Sequence, residues 1–116
     1  MKDKEIKEII ISEFAEADLD DIASYHYSRS PNYVERIISE FEENVESLQK
    51  HPKSGRIVTE LERQGILKYR ELIQEYYRIV YEISGNKVIV HTIIDERRNF
   101  EETIILKLSR YYGNKN

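Results

Sequence analysis

One segment of this chain, from Ser30 to His51, constrains the fold more than any other. Apolar residues recur there at every third or fourth position, as on one face of an α-helix: Val34, Ile37, Ile38, Phe41, Val45 and Leu48. Glutamates occupy much of the remaining surface. Ser30 is suited to cap this helix and Pro31 to begin it, and Pro52 follows its end. A helix with one apolar face must bury that face, so Phe41 at its middle is predicted to pack against the core face of a sheet.

A second amphipathic helix precedes this one, and a strand precedes both. The two faces of this earlier helix differ in composition. One side carries Ala15, Leu19, Ile22 and His26, and the other carries Asp18, Asp20 and Asp21. This helix stops before Ser30-Pro31, because a residue that precedes proline avoids the α region. Two helices so closely joined form an antiparallel hairpin. Residues 5–12 are rich in β-branched side chains and predict a strand ahead of the hairpin.

The second half of the chain has the alternating pattern of β-strands. Three strands are predicted at about 67–74, 76–84 and 87–95, with a hairpin turn at Ser84-Gly85-Asn86. The middle strand alternates between two faces: Tyr77, Ile79, Tyr81 and Ile83 against Tyr76, Arg78, Val80 and Glu82. Ahead of these strands, residues 56–58 are a candidate short extended segment, and residues 60–65 predict a polar loop.

A short helix is predicted to end the chain. Asn99 and Glu102 have the spacing of a capping box, Ile105, Leu108 and Tyr112 share one face, and Gly113 closes the helix. The order is therefore β-α-α-β-β-β-α in a single domain over residues 1–116. We predict an α+β fold in which an antiparallel sheet of about four strands has the helical hairpin packed on one face.

Length and charge narrow the class of protein. The 116 residues suffice for one domain with one core, and the net charge is −4. An acidic total disfavours a protein whose whole surface binds nucleic acid, although residues 61–116 carry 10 Lys and Arg against 8 Asp and Glu and leave room for a local basic site. No apolar run approaches the ~20 residues of a membrane span, and the first residues lack the pattern of a secretory signal. We therefore predict a cytoplasmic protein without membrane contact.

The residue types also exclude several chemistries. The sequence contains no cysteine, which rules out disulfides and thiolate zinc sites. The three histidines, His26, His51 and His91, are scattered, and none forms a pair at metal-ligand spacing. His91 lies inside an apolar strand and is predicted to be a packed core histidine. Four glycines cannot build a phosphate-binding loop, so we predict neither a metal nor another cofactor.

Arginine is the residue type left to carry chemistry. Five arginines lie in or beside the predicted strands: Arg56, Arg70, Arg78, Arg97 and Arg98. Arg78 alternates with the core tyrosines along the strand. Its side chain is therefore predicted to project from the uncovered face of the sheet, opposite the helical hairpin. If Arg70 and Arg98 reach that face, the three guanidinium groups form an anion site. The alternative is that each arginine pairs with a neighbouring acidic residue, such as Glu71 or Asp95, in a surface ladder.

Several short motifs resemble, in order and spacing, those of the RelE/ParE superfamily of toxins. They are Ala17-Asp18-Leu19-x-x-Ile22-x-x-Tyr25 in the first helix, Pro52-x-x-Gly55-Arg56 after the hairpin, Tyr69-Arg70-Glu71-Leu72, Tyr77-Arg78-Ile79-Val80-Tyr81, and Arg97-Arg98 after the last strand. The similarity spans residues 5–108. Superfamily members are toxins of type II toxin–antitoxin modules, which arrest growth and take part in plasmid stabilisation. The resemblance implies the same fold, a cognate antitoxin as partner in a hetero-oligomer, and contact with operator DNA only through that antitoxin.

The resemblance leaves three functions open, because the superfamily divides by target. ParE-like members poison DNA gyrase and have no known cleavage chemistry of their own. RelE-like members cut mRNA at the ribosome. In that case Arg70, Arg78 and Arg98 would be the catalytic, phosphate-contacting residues, and Arg78→Ala should abolish toxicity while leaving the fold nearly intact. The third possibility is an inactive relative that only binds an antitoxin-like peptide.

Departures from the RelE pattern favour the ParE-like function. Ile104 stands where the RelE-type catalytic tyrosine would be, and Arg70 is followed by Glu71 where RelE has a lysine pair. RelE is also strongly basic, whereas this chain has a net charge of −4. We therefore predict a toxin that inhibits DNA gyrase. The alternative is a ribosome-dependent mRNA endonuclease, whose general base would be His91, Glu71 or a nearby tyrosine.

Overall fold

The elements follow one another in the predicted order; the candidate extended segment at 56–58 is present as a short strand, and one short helix is added. The computed structural model describes the backbone of residues 5–113 and the side chains of residues 5–110. Its elements are β1 (Glu8–Ile11), α1 (Glu13–Tyr27), α2 (Pro31–Ser47), β2 (Arg56–Ile57), α3 (Thr59–Glu62), β3 (Tyr69–Gln74), β4 (Tyr77–Ser84), β5 (Lys87–Asp95) and α4 (Phe100–Gly113). Within this described range no helix is both long and apolar enough to cross a membrane.

All of these strands join one sheet in the order β1-β5-β4-β3-β2. Neighbouring strands pair antiparallel except β1 and β5, which run parallel with Ile9 opposite Val88. The α+β class is confirmed. The sheet has five strands where about four were predicted, and the pairing of β1 with β5 is parallel where only antiparallel pairs were predicted. The chain leaves β1, crosses the sheet through the helical hairpin and re-enters at the far edge as β2. It then returns strand by strand, so β5 meets β1 running in the same direction.

The helical hairpin covers one face of the sheet, as predicted. The core on this face comes from the hairpin and from β4 and β5: Ala15, Ile37, Phe41, Val45, Leu48, Tyr77, Ile79, Tyr81, Val88, Val90 and Ile93, with Ile6 beside them. Phe41 is only 3% exposed, which confirms its predicted place in this core. His26 is buried on the same side, and its Nε2 lies 2.9 Å from the hydroxyl oxygen of Tyr77.

The opposite face of the sheet is covered too, and the prediction that it is open is wrong. A second core lies there between the sheet, α3 and α4: Val58, Leu61, Tyr69, Val80, Ile94, Phe100, Ile104 and Leu108. Leu61 is 1% exposed and belongs to α3, within the segment predicted to be a polar loop. Val58 and Leu61 both enter this second core, so the segment packs onto the sheet as a short helix and does not form a polar loop.

The predicted helix starts are confirmed by their hydrogen bonds. The hydroxyl of Ser30 accepts from the backbone nitrogen of Tyr33 over 3.2 Å, and Pro31 is the first residue of α2. The side-chain oxygen of Asn99 accepts from the backbone nitrogen of Glu102 over 3.3 Å, just ahead of α4. The predicted roles of Tyr112 and Gly113 lie outside the described side chains.

Candidate functional site

Arg78 lies beneath α4, where two carboxylates hold its guanidinium group. Its Nε and Nη2 donate to the two carboxylate oxygens of Glu71 over 2.6 and 2.7 Å. Its Nη1 and Nη2 donate to those of Glu60 over 3.0 and 2.8 Å. The guanidinium carbon also lies 3.4 Å from the centre of the Phe100 ring. Arg78 is 5% exposed, so its donors are used inside the protein and are closed to an anion from solvent.

Glu71 is the centre of this cluster. Its side chain is 0% exposed, and besides Arg78 it receives a 2.8 Å hydrogen bond from Nε of Arg56. A buried carboxylate is costly unless it is paired, so these two arginines make its burial possible. The hydrogen bond from Arg78 also lowers the pKa of Glu60, which keeps that carboxylate ionised. The cluster therefore ties β2, β3, β4 and α3 together, and the predicted pairing of arginines with acidic neighbours is found here in a buried form.

Arg70 lies on the other face of the sheet from Arg78. It stands opposite Tyr81 in the pairing of β3 with β4, and Tyr81 belongs to the core beneath the helical hairpin. Its Nη1 donates to the backbone carbonyl of Gly55 over 2.7 Å. Arg70 thus supports the loop between α2 and β2, and it cannot join Arg78 in one anion site.

The same loop explains the motif Pro52-x-x-Gly55. The hydroxyl of Tyr81 donates to the carbonyl of Pro52 over 2.7 Å and accepts from the backbone nitrogen of Gly55 over 3.0 Å. Burial raises the pKa of Tyr81, so this hydroxyl stays protonated and able to donate. The glycine is required by space, because a Cβ at this position would lie 2.6 Å from the Tyr81 oxygen and from the carbonyl oxygen of Glu71.

Arg98 is exposed and lines a cleft of about 570 Å³ at the end of β5. Among the described residues its guanidinium has no ion-pair partner. The cleft is bounded by α1, by the end of β5 with the loop that follows it, and by α4: Asp18, Asp21, Ile22, Tyr25, Tyr77, Ile93, Ile94, Asp95, Arg97, Arg98, Thr103 and Lys107. Of the three arginines predicted to converge, only Arg98 reaches this cleft. The three arginines therefore do not converge, and of the two alternatives, a shared anion site or pairing with acidic neighbours, the structure shows the second for Arg78.

Two ion pairs set the electrostatics of the cleft. Arg97 holds Asp95 through bonds of 3.0 and 2.8 Å, and this hydrogen bonding lowers the pKa of Asp95. Deeper in, Nζ of Lys107 donates to Asp18 over 2.7 Å. Asp18 is 7% exposed and also accepts from the hydroxyl of Thr92 over 2.5 Å and from the backbone nitrogen of Ile93 over 3.1 Å.

Sequence reasoning missed Asp18, Lys107 and Glu60. The periodicity of α1 places Asp18 on its polar side, but Asp18 lies three residues after the buried Ala15 and one before Leu19, at the border of the apolar face. That spacing is a signal that the side chain meets the sheet. Glu60 carries no such signal, because only the burial of Leu61 brings it to Arg78.

His91 is 3% exposed, and its predicted place as a packed core histidine is confirmed. Its Nε2 lies 2.6 Å from Oε1 of Glu82, and burial, partly opposed by this hydrogen bond, lowers its pKa. Across the described part of the chain, no three His, Asp or Glu side chains cluster as a metal site would require.

The comparisons with known proteins agree with this architecture. The family model described as "ParE toxin of type II toxin-antitoxin system, parDE" matches residues 9–100. Among solved structures, a chromosomal ParDE toxin–antitoxin system from P. aeruginosa superposes with a TM-score of 0.64 at 19% identity, covering 78% of this chain and 96% of that chain. A RelBE toxin–antitoxin complex from Mycobacterium tuberculosis gives a TM-score of 0.51 at 15% identity, covering 81% of this chain and 97% of the other. A search among curated proteins found no match.

Proposed function

Because this chain belongs to the family of ParE toxins of type II toxin–antitoxin systems, we propose that it is the toxin of such a module and that it inhibits DNA gyrase. The family match over residues 9–100 carries the first part of this proposal. It includes both faces of the sheet, the helical hairpin, and the buried Arg78 cluster.

The burial and ion pairing of the Arg78 guanidinium support gyrase over mRNA as the target. A ribonuclease that stabilises charge on a phosphate needs a donor aimed at the position of that phosphate. The guanidinium of Arg78 instead donates to Glu71 and Glu60 and stacks under Phe100. Ile104, at the position of the RelE-type tyrosine, is 0% exposed in the core beneath α4. Neither residue is free to act on RNA in this conformation.

The proposed partner is a cognate antitoxin, in a cytoplasmic hetero-oligomer that binds operator DNA through the antitoxin. The two similar structures come from a ParDE system and a RelBE complex, which supports a partner of this kind. Exposed apolar side chains offer contact area for it, among them Leu67 at 58% and Leu106 at 65% exposure.

The deciding experiment adds purified protein to DNA gyrase with relaxed plasmid and ATP. We expect dose-dependent loss of supercoiling and accumulation of cleaved plasmid after denaturation of gyrase. In parallel, the protein is incubated with ribosomes programmed with a defined mRNA, and primer extension is expected to show no new ends. Active gyrase together with codon-positioned cuts would overturn the gyrase proposal and establish the endonuclease alternative, in which Arg70, Arg78 and Arg98 would be the residues to test.

Growth assays test the toxin assignment separately from its target. Expression of the chain alone should arrest growth, and co-expression of the neighbouring small reading frame should relieve the arrest. Normal growth with verified soluble protein would contradict the toxin assignment and favour an inactive relative that only binds an antitoxin-like peptide.

A further inference from the structure

The cations of this acidic chain are concentrated in one short segment. Residues 53–70 contain five Lys and Arg against two Asp and Glu, whereas the rest of the chain contains 13 against 20. The segment forms one border of the sheet, because it holds β2, the edge strand farthest from β1, together with α3 and the beginning of β3. The fold therefore gathers an excess of positive charge at one edge of a protein whose other residues are net acidic.

Four of the five cations are exposed: Lys53, Arg56, Arg63 and Lys68. The side chain of Arg56 is 61% exposed while its Nε donates to Glu71 over 2.8 Å. A guanidinium that is fixed at one nitrogen and still largely exposed is suited to bind phosphate, because its planar fork matches two phosphate oxygens. The edge thus offers several positive groups to solvent, one of them already held in place.

Backbone pairing holds the two arms of this segment side by side. β2 runs antiparallel to β3, and the backbone nitrogen of Val58 donates to the carbonyl of Tyr69 over 3.0 Å. α3 follows Val58 directly and Lys68 precedes Tyr69, so both arms bring their charges to the same pair of strands. Nη1 of Arg70 donates over 2.7 Å to a backbone carbonyl of the loop that carries Lys53. The cations therefore share one ordered edge.

The carboxylates of this edge are largely neutralised inside the protein. Glu71 is 0% exposed between two arginines, and Glu60, which is 22% exposed, is bonded by Arg78. Glu62 is exposed, and the exposed Glu101 of α4 lies 3.4 Å from the side-chain nitrogen of Gln64. These two exposed carboxylates stand against four exposed cations, so the edge presents net positive charge to solvent.

We propose that this edge binds the phosphate backbone of duplex DNA without regard to sequence. A duplex carries one negative charge per ~1.7 Å of its axis, about twice the density of one strand, so several cations along one edge can each meet a phosphate. Tyr69, the one aromatic residue of the segment, is 3% exposed, so residues 53–70 offer no ring on which unpaired bases could stack. Phosphate contacts carry no sequence information, which separates this site from operator recognition by an antitoxin.

The test measures binding of the full chain to a fluorescently labelled duplex of about 20 base pairs by anisotropy, between about 50 and 200 mM salt. With about three phosphate contacts, the logarithm of the affinity should fall against the logarithm of the salt concentration with a slope of about −2.7, or about 40-fold over this range. One labelled strand alone should bind roughly fivefold more weakly, because its charge density is lower. No binding at the lowest salt, a slope near zero, or equal affinity for the single strand would overturn the proposal.

Matched double variants locate the contact. Lys53→Gln with Arg63→Gln removes two exposed cations of this edge and should lower duplex affinity about tenfold at the lowest salt and reduce the salt slope by about 2. Lys7→Gln with Lys87→Gln is the control, because it removes the same charge from two exposed positions beside the opposite edge of the sheet. Circular dichroism checks the fold of both variants. Equal losses would show that net charge alone decides binding and would overturn the proposal. Since the probe is DNA alone, this outcome is separate from that of the gyrase assay.

Discussion

Gly55 and Tyr81 fix the loop after the helical hairpin to the middle of the sheet. The backbone nitrogen of Gly55 donates to the hydroxyl of Tyr81 over 3.0 Å, and that hydroxyl donates onward to the carbonyl of Pro52. Tyr81 is 0% exposed. The loop therefore rests directly on a core side chain, without room for a larger residue at position 55. Two of the motifs that point to the family, Pro52-x-x-Gly55 and the β4 segment, form one structural unit.

Gly55→Ala should lower the free energy of unfolding by about 2–3 kcal/mol, because the added Cβ would overpack Tyr81 and the backbone of Glu71. Chemical denaturation measures this loss. Gly85→Ala is the matched control: its φ is +62° but nothing lies within 4 Å of the added carbon, so only backbone strain of about 1 kcal/mol is expected. Equal losses in the two variants would contradict a steric role for Gly55.

Arg78→Ala should destabilise the protein by about 3–5 kcal/mol, because it leaves Glu71 buried without its main partner. This replaces the sequence-based expectation that the variant keeps the fold nearly intact. The double variant Arg78→Met with Glu71→Leu should recover much of the loss, since an apolar pair needs no counter-charge. Arg36→Ala, which removes an exposed partner of Glu40, should cost less than about 1 kcal/mol. A similarly small loss for Arg78→Ala would refute the buried role.

Phe41→Ala should cost about 3–5 kcal/mol in chemical denaturation, because it opens a cavity in the core between α2 and the sheet. Tyr27→Ala, at a position 63% exposed, should change stability by no more than about 0.5 kcal/mol. A loss below about 1 kcal/mol for Phe41→Ala would mean that the buried face of α2 has been assigned wrongly.

His91 should make the protein less stable as the pH falls below about 6.5. Burial lowers the pKa of His91 in the folded state, so the unfolded chain binds a proton more readily. Stability is then fully present above the unfolded pKa and declines as the pH falls toward the folded one. The test compares denaturation of the protein and of His91→Gln between pH 8 and 5. The difference in unfolding free energy should shrink with acid, and a constant difference would exclude this linkage.

Much of the fold follows from local patterns. The apolar stripe from Val34 to Leu48 predicts α2 from the period of a helix alone. The alternation along 77–84 predicts β4 from the pleat of a strand alone. The caps at Ser30 and Asn99 are local as well, since each joins residues three apart. For the same reason the element order and the burial of Phe41 could be predicted.

The surroundings of the charged residues could not be predicted in this way. Alternation correctly placed Arg78 on the face away from the hairpin, but whether that face is open depends on α3 and α4, which pack there through Leu61, Phe100 and Ile104. Glu60 and Arg78 are 18 residues apart, and Asp18 and Lys107 are 89 apart. Only the folded chain brings such residues together.

Periodicity, capping and motif spacing are properties of neighbouring residues, so they were enough to predict the long helices and strands, their order and the toxin family, but not α3. The folded structure was needed to show that Arg78 is a buried ion-pair partner, that Arg70 supports a loop, and that Arg98 is exposed in a cleft. The physical reason is that a guanidinium group takes its role from what surrounds it. Burial and counter-charges are supplied by residues distant in the chain.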